Sequence, residues 1–121
     1  EKHFENINML NNHDNLFGTG SSLGIVEGEV VVVKDADSNI DVKNKIIVAE
    51  STDPGWVFLI KDAKGIIVER GSILSHTAII TRELKKPSIV NVKNATSLLK
   101  NGDYVQLDAY KGIVRRIDGT L

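Results

Sequence analysis

The chain has 121 residues, a length that fits one domain with a single buried core. Hydrophobic residues make up 41% of it, charged residues 26%, and the net charge is −1, so no basic surface for nucleic acid is expected. Cysteine is absent, which excludes disulfides, thiol catalysis and thiolate metal sites, and no apolar run is long enough to span a membrane.

Residues 1–16 differ from the rest of the chain in composition, because asparagine occurs five times among them. This predicts a linker or disordered leader, with the domain itself occupying residues 17–121. The charged first residues carry no signal-peptide core, and we expect a cytoplasmic protein. Gly18 to Gly24 is rich in small residues and predicts a flexible entry into the domain.

Strands alternate with two helices along the rest of the chain. The predicted strands are Ile25 to Lys34, Lys45 to Ala49, Gly65 to Glu69, Ser88 to Asn91, Tyr104 to Ala109 and Gly112 to Ile117. Asp53 and Pro54 predict a short helix capped by Asp53, and residues 75–86 form the clearest helix, which Pro87 ends. The mixture predicts a compact α/β domain of the β/β/α type, mostly β by count.

His76 is the residue with the most chemical information, because it stands at the start of the second helix with Ser75 as its N-cap. A helical wheel places three apolar residues on the same side, which we expect to face the core: Ile79, Ile80 and Leu84. Helical side chains lean towards the N-terminus, so the imidazole should overhang residues 70–75. A helix N-terminus disfavours a positive ring and favours a bound anion.

These residues leave two interpretations open. A histidine beside an apolar helix face is most often structural, and the chain would then be a non-catalytic, β-rich interaction module. Alternatively, the neutral ring acts as a nucleophile, and the group that it then carries is an anion.

The segment from Gly71 to Arg82 resembles the phosphohistidine signature of the phosphoenolpyruvate (PEP)-utilising enzymes. The matching residues are the loop glycine Gly71, Ser75, His76, the small pair Thr77-Ala78, the apolar pair Ile79-Ile80, and Arg82. The resemblance continues through Thr52 to Trp56, Pro87 to Val90 and Asp108 to Val114, and covers about residues 18–117. It is closest to the PEP synthase and rifampin phosphotransferase branches.

The resemblance implies a swivelling phosphohistidine domain with a β-rich core and a His-bearing helix. It implies that His76 relays a phosphoryl group from an ATP-grasp domain to a domain that binds pyruvate and PEP, both in the same parent protein. ATP and Mg²⁺ are expected on those partner domains, no cofactor or metal is expected on this chain, and the chain alone should not catalyse the net reaction. An antibiotic hydroxyl or a sugar-transport carrier protein is an alternative acceptor.

Seven further residues are predicted to support His76: Ser75, Thr77, Gly71, Glu69, Arg70, Arg82 and Asp53. Arg82 lies roughly 9 Å along the helix from His76, which favours a salt bridge or a docking contact over phosphate binding. Leu74 stands where some relatives have a regulatory threonine, so that regulation is not expected here. Ser72 replaces a second glycine that many members have.

Overall fold

The computed structural model describes residues 15–36 and 39–117, which form eight strands, three α-helices and one turn of 3-10 helix. The strands are β1 (Asn15–Phe17), β2 (Thr19–Ser22), β3 (Ile25–Val32), β4 (Ile46–Ala49), β5 (Gly65–Val68), β6 (Ser88–Val90), β7 (Tyr104–Asp108) and β8 (Ile113–Arg116). The helices are α1 (Val57–Asp62), which follows the 3-10 turn Pro54–Trp56, α2 (His76–Leu84) and α3 (Ala95–Leu98). None of these helices has the length and hydropathy needed to cross a bilayer.

The strands form one mixed sheet in the order β1-β8-β7-β3-β4-β5-β6-β2. The four central strands β3, β4, β5 and β6 are parallel, and the flanking strands pair antiparallel. Helix α1 connects β4 to β5, and α2 connects β5 to β6. The carboxyl ends of the parallel strands therefore share one edge of the sheet, where such folds place their ligands.

The two ends of the sheet meet at Gly18. Strands β1 and β2 are the first and last in the sheet, yet this single residue separates them in the chain. Because neighbouring Cα atoms are only about 3.8 Å apart, the sheet must curl until its ends adjoin. The Gly18 amide donates to the carbonyl of Gly112 at 2.9 Å, and a Cβ there would lie 2.6 Å from the carbonyl oxygen of Val90.

Alternate residues of β4 and β5 enter two different cores, because neighbouring strand residues point to opposite faces. Ile46, Val48 and Ile67 join a cluster enclosed by the curled sheet, with residues of β7 and β8. Ile47 and Val68 join a second cluster, which is covered by residues of α1 and α2. The chain thus has two β layers and one helical layer, as the predicted β/β/α class requires.

The six predicted strands and both predicted helices are confirmed, with bounds that differ by one or two residues. Two expectations near the beginning of the domain need correction. Asn15 and Leu16, assigned to the leader, belong to β1, and Leu16 is buried; the leader residues 1–14 lie outside the described part. The supposed flexible entry forms β2, because its small residues let it pair closely with β6. Helix α3 is not predicted, since four residues show no helical period.

We expect Gly20→Ala to lower the free energy of unfolding by about 3 kcal/mol. An added Cβ would lie 1.8 Å from the carbonyl oxygen of Ala109, and no rotation of a side chain can relieve that contact. Urea denaturation at equilibrium measures the change. Ser97→Ala, at an exposed position of α3, is the control and should change stability by less than about 0.5 kcal/mol. Equal stability of both variants would contradict the close approach of β2 to residue 109.

Candidate functional site

His76 and Thr52 meet at the carboxyl edge of the parallel strands. Thr52 follows β4 by three residues, and His76 opens the helix that follows β5. Since β4 and β5 are adjacent and parallel, the segments that leave them lie side by side. The Thr52 hydroxyl oxygen lies 3.2 Å from Nδ1 of His76, within hydrogen-bond distance.

His76 is the first residue of α2, as predicted, and its side chain is half-buried. Ser75 is the N-cap: its backbone is extended, and its hydroxyl oxygen lies 3.5 Å from the amide nitrogen of Ala78. The same hydroxyl donates to the carbonyl of Ser72 at 2.7 Å. The helix therefore begins at a fixed residue, and the imidazole lies within its first turn.

Thr52 also contacts Thr77, whose hydroxyl oxygen lies 2.7 Å from that of Thr52. Thr77 is buried, so the two hydroxyl groups connect the ring of His76 to the buried face of α2. Thr77 was among the predicted supporting residues, and the structure brings it next to the site. Thr52 was not, although its position three residues after β4, the strand next to β5, is the signal that identifies it.

The core face of α2 differs from the one that the helical wheel predicts. The buried residues are Thr77, Ala78 and Thr81. Ile79 is 51% exposed, whereas Ile80 and Leu84 are only partly buried against the second core cluster. The prediction was wrong for Ile79, because the face that packs on the sheet is the one that bears Thr77, Ala78 and Thr81.

Buried hydroxyl groups hold this close contact between α2 and the sheet. The hydroxyl of Thr81 donates to the carbonyl of Thr77 at 2.7 Å and lies 2.9 Å from the hydroxyl oxygen of Ser88 on β6. Ser88 in turn lies 2.7 Å from the hydroxyl oxygen of Ser21 on β2. Each of these three buried hydroxyls thus has a partner, as buried polar groups in folded proteins generally do.

Arg82 ties the turn before α2 to strand β2. Its Nε donates to the carbonyl of Ser21 at 2.8 Å, and its Nη2 donates to the carbonyl of Ile73. Within the domain Arg82 thus bonds to two backbone carbonyls and not to a carboxylate, and the docking contact with another domain stays a prediction. Arg82 thereby positions the residues before His76.

Glycine suits position 71 of this turn. The φ angle of Gly71 is +142°, and a Cβ there would lie 3.1 Å from the Ser75 hydroxyl oxygen.

The remaining predicted residues lie at the same edge but have other partners. The carboxylate of Glu69 accepts hydrogen bonds from the amide of Thr96, at 2.8 Å, and from its hydroxyl, at the start of α3. Asp53 caps the 3-10 turn, as predicted, by accepting from the Gly55 amide at 2.9 Å. The side chain of Arg70 is exposed. The carboxylates of Glu69 and Asp53 are therefore bonded to Thr96 and Gly55, and not to the imidazole of His76.

The arrangement is suited to nucleophilic chemistry on the ring. One ring nitrogen is engaged by Thr52, so the other nitrogen, Nε2, is the one left for a reacting group. The N-terminal end of a nine-residue helix stabilises negative charge on a group attached there.

Comparison with known proteins is consistent with this chemistry. A family model described as the mobile domain of PEP-utilising enzymes matches residues 40–112. A probable phosphoenolpyruvate synthase of Pyrococcus horikoshii is 44% identical over 108 residues, which are 84% of this chain and 13% of that protein. The rifampicin phosphotransferase of Bacillus cereus is 36% identical over 100 residues, 82% of this chain and 11% of that protein.

Among solved structures, the NMR solution structure of an Enzyme I (nEIt) protein aligns with a TM-score of 0.56 at 31% identity. The alignment covers 70% of this chain and 34% of that one. The chain thus spans 11 to 13% of the length of the two relatives above, so most of each relative lies outside the part that it matches.

We expect Arg82→Met to loosen the turn before His76, because both of the bonds that Arg82 donates are lost while the length of the side chain is kept. The Ser75 amide, bonded to the Ser72 carbonyl at 3.0 Å, should exchange its hydrogen about ten-fold faster, which corresponds to one or two lost hydrogen bonds. Hydrogen exchange followed by NMR measures this. Glu83→Gln, exposed on the same helix, should leave the rate unchanged. An unchanged Ser75 rate in Arg82→Met would show that Arg82 does not hold the turn.

Proposed function

The chain belongs to the mobile-domain family of PEP-utilising enzymes, and on this premise we propose that it is the phosphoryl carrier of such an enzyme, with the group carried on His76. One observation above all supports the proposal: His76 opens α2 with Nδ1 bonded to Thr52 and with its side chain partly open to solvent. A ring held in this way has one orientation and one reactive nitrogen.

The proton on Nδ1 determines which nitrogen reacts. When Nδ1–H donates to the Thr52 oxygen, the lone pair lies on Nε2, and the Thr52 hydroxyl donates its own hydrogen to Thr77. Nε2 then attacks the phosphorus of the donor, so that the N–P bond forms as the bond from phosphorus to the leaving oxygen breaks. In the second half of the relay an acceptor oxygen attacks phosphorus, and Nε2 leaves with its lone pair.

The helix that carries His76 stabilises the intermediate. The phosphorylated ring bears a dianionic group, and the positive end of the α2 dipole offsets part of that charge. The end of the helix that carries the nucleophile thus also stabilises its product.

The donor and acceptor sites lie on other domains in this proposal. The chain spans only 11 to 13% of its relatives, which leaves most of the parent protein for those sites. An ATP-grasp domain, with ATP and Mg²⁺, would load His76, and a domain that binds pyruvate and PEP would unload it, in a cytoplasmic enzyme. The relative named as a probable phosphoenolpyruvate synthase, at 44% identity, favours pyruvate as acceptor; the one named rifampicin phosphotransferase, at 36%, favours an antibiotic hydroxyl instead.

We expect the chain to take up an acid-labile phosphoryl group when it is incubated with ATP, Mg²⁺ and the ATP-grasp domain of its parent enzyme. His76→Ala should abolish the label, because no other residue can replace a ring at the start of α2. The double variant His3→Ala/His13→Ala changes the chain's other two histidines and should retain the label in full. No label on the wild-type chain with an active donor would favour the interaction module over the carrier.

Thr52→Val should slow the phosphorylation of His76 by about ten-fold, the effect of one lost hydrogen bond to the ring. Nitrogen NMR of the unphosphorylated chain should also show the ring proton moving from Nδ1 to Nε2. Thr52→Ser keeps the hydroxyl and should restore both properties. A wild-type rate in Thr52→Val would exclude this threonine from positioning the ring.

A further inference from the structure

Two hydroxyl groups in series connect the imidazole of His76 to the interior of the domain. The Thr52 hydroxyl oxygen lies 3.2 Å from Nδ1 of His76 and 2.7 Å from the hydroxyl oxygen of Thr77. The Thr52 hydroxyl has a single hydrogen, and within the described part of the chain these two atoms are its partners. Thr77 is only 3% exposed, so water has little access to its hydroxyl group.

This series of hydrogen bonds has two possible directions, because each hydroxyl can donate or accept. In the first, Nδ1–H donates to Thr52 and Thr52 donates to Thr77, which leaves the lone pair of the ring on Nε2. In the second, Thr77 donates to Thr52 and Thr52 donates to Nδ1, which places the ring proton on Nε2. Only the first direction makes Nε2 a nucleophile.

The Thr77 hydroxyl therefore affects the reactivity of a ring that it reaches only through Thr52. When Thr77 accepts the Thr52 hydrogen, the Thr52 oxygen presents a lone pair to Nδ1, and the ring proton stays there. Without an acceptor at position 77, the Thr52 hydrogen has Nδ1 as its remaining partner, and the ring proton moves to Nε2. Burial strengthens the effect, because a hydroxyl that loses its partner costs more where water cannot replace it.

We propose that Thr77 is a positioning residue for phosphoryl transfer, an assignment that rests on the proposed function. Its hydroxyl accepts the Thr52 hydrogen and thereby keeps the ring proton on Nδ1 and the lone pair on Nε2. Thr77 directly follows His76 in the first turn of α2, so the helix carries both the nucleophile and the group that determines its tautomer. Thr52 couples the two from the segment that follows β4.

The tautomer of His76 tests the proposal without any phosphorylation. Nitrogen NMR of the ¹⁵N-labelled chain at about pH 9, where an imidazole is neutral, distinguishes a proton on Nδ1 from one on Nε2. Thr77→Val keeps the shape of the side chain but removes the acceptor, and it should shift the ratio of the two tautomers about ten-fold towards Nε2–H. Thr77→Ser keeps the hydroxyl and should restore the wild-type ratio. Thr81→Val is the matched control: it removes another buried hydroxyl of α2, one bonded to Ser88 and not to Thr52, and should keep the wild-type ratio.

The rate of phosphorylation shows whether Thr77 acts through Thr52. With ATP, Mg²⁺ and the ATP-grasp domain of the parent enzyme, Thr77→Val should slow the labelling of His76 about ten-fold, as Thr52→Val does. The double variant Thr52→Val/Thr77→Val should also be slower by about ten-fold and not by about a hundred-fold. The second substitution removes nothing further, because the first has already broken the series of bonds.

The positioning role and the carrier function fail in different ways. A wild-type tautomer ratio in Thr77→Val, an equal shift in Thr81→Val, or an additive loss of rate in the double variant would overturn the role of Thr77 while the carrier function stood. Absence of any label on His76 in the wild-type chain, with an active donor, would instead overturn the carrier function.

Discussion

The site depends on the close contact of helix α2 with strands β2 and β6. Small residues on the inner face of the helix make this approach possible, and Ala78 and Thr81 have no exposed surface. The hydroxyl groups of Thr81, Ser88 and Ser21 satisfy one another within the contact. Because the helix is placed by this packing, the imidazole at its first residue occupies one position relative to the edge of the sheet.

The parallel order of β4 and β5 then supplies the partner of the ring. Thr52 and His76 are 24 residues apart in the chain, and they meet because each follows a strand that ends at the same edge. Arg82 adds the third constraint by connecting the preceding turn to β2. The imidazole of His76 is thus supported from the helix, from a neighbouring strand and from the turn, although each polar contact is worth only about 1 kcal/mol.

Residues close to His76 in the sequence predicted its position at the start of a helix. Ser75 and Pro87 bracket α2, and they placed His76 at its start without any knowledge of the sheet. The contacts of Arg82 could not be predicted in this way. A helical wheel gives the direction in which a side chain points but not its partner, and Ser21 is 61 residues away in the sequence. Thr81 is polar, yet its hydroxyl bonds to the carbonyl one turn earlier, which allows it to be buried.

We propose that Nε2 of His76 forms the bond to phosphorus while Thr52 holds Nδ1. The most direct measurement is the one-bond phosphorus–nitrogen coupling in the ¹⁵N-labelled, phosphorylated chain, with each ring nitrogen assigned. We predict that the coupling appears at Nε2 of His76 and that Nδ1 retains a proton bonded to Thr52. A coupling at Nδ1, or phosphorus bound to any other residue, would contradict it.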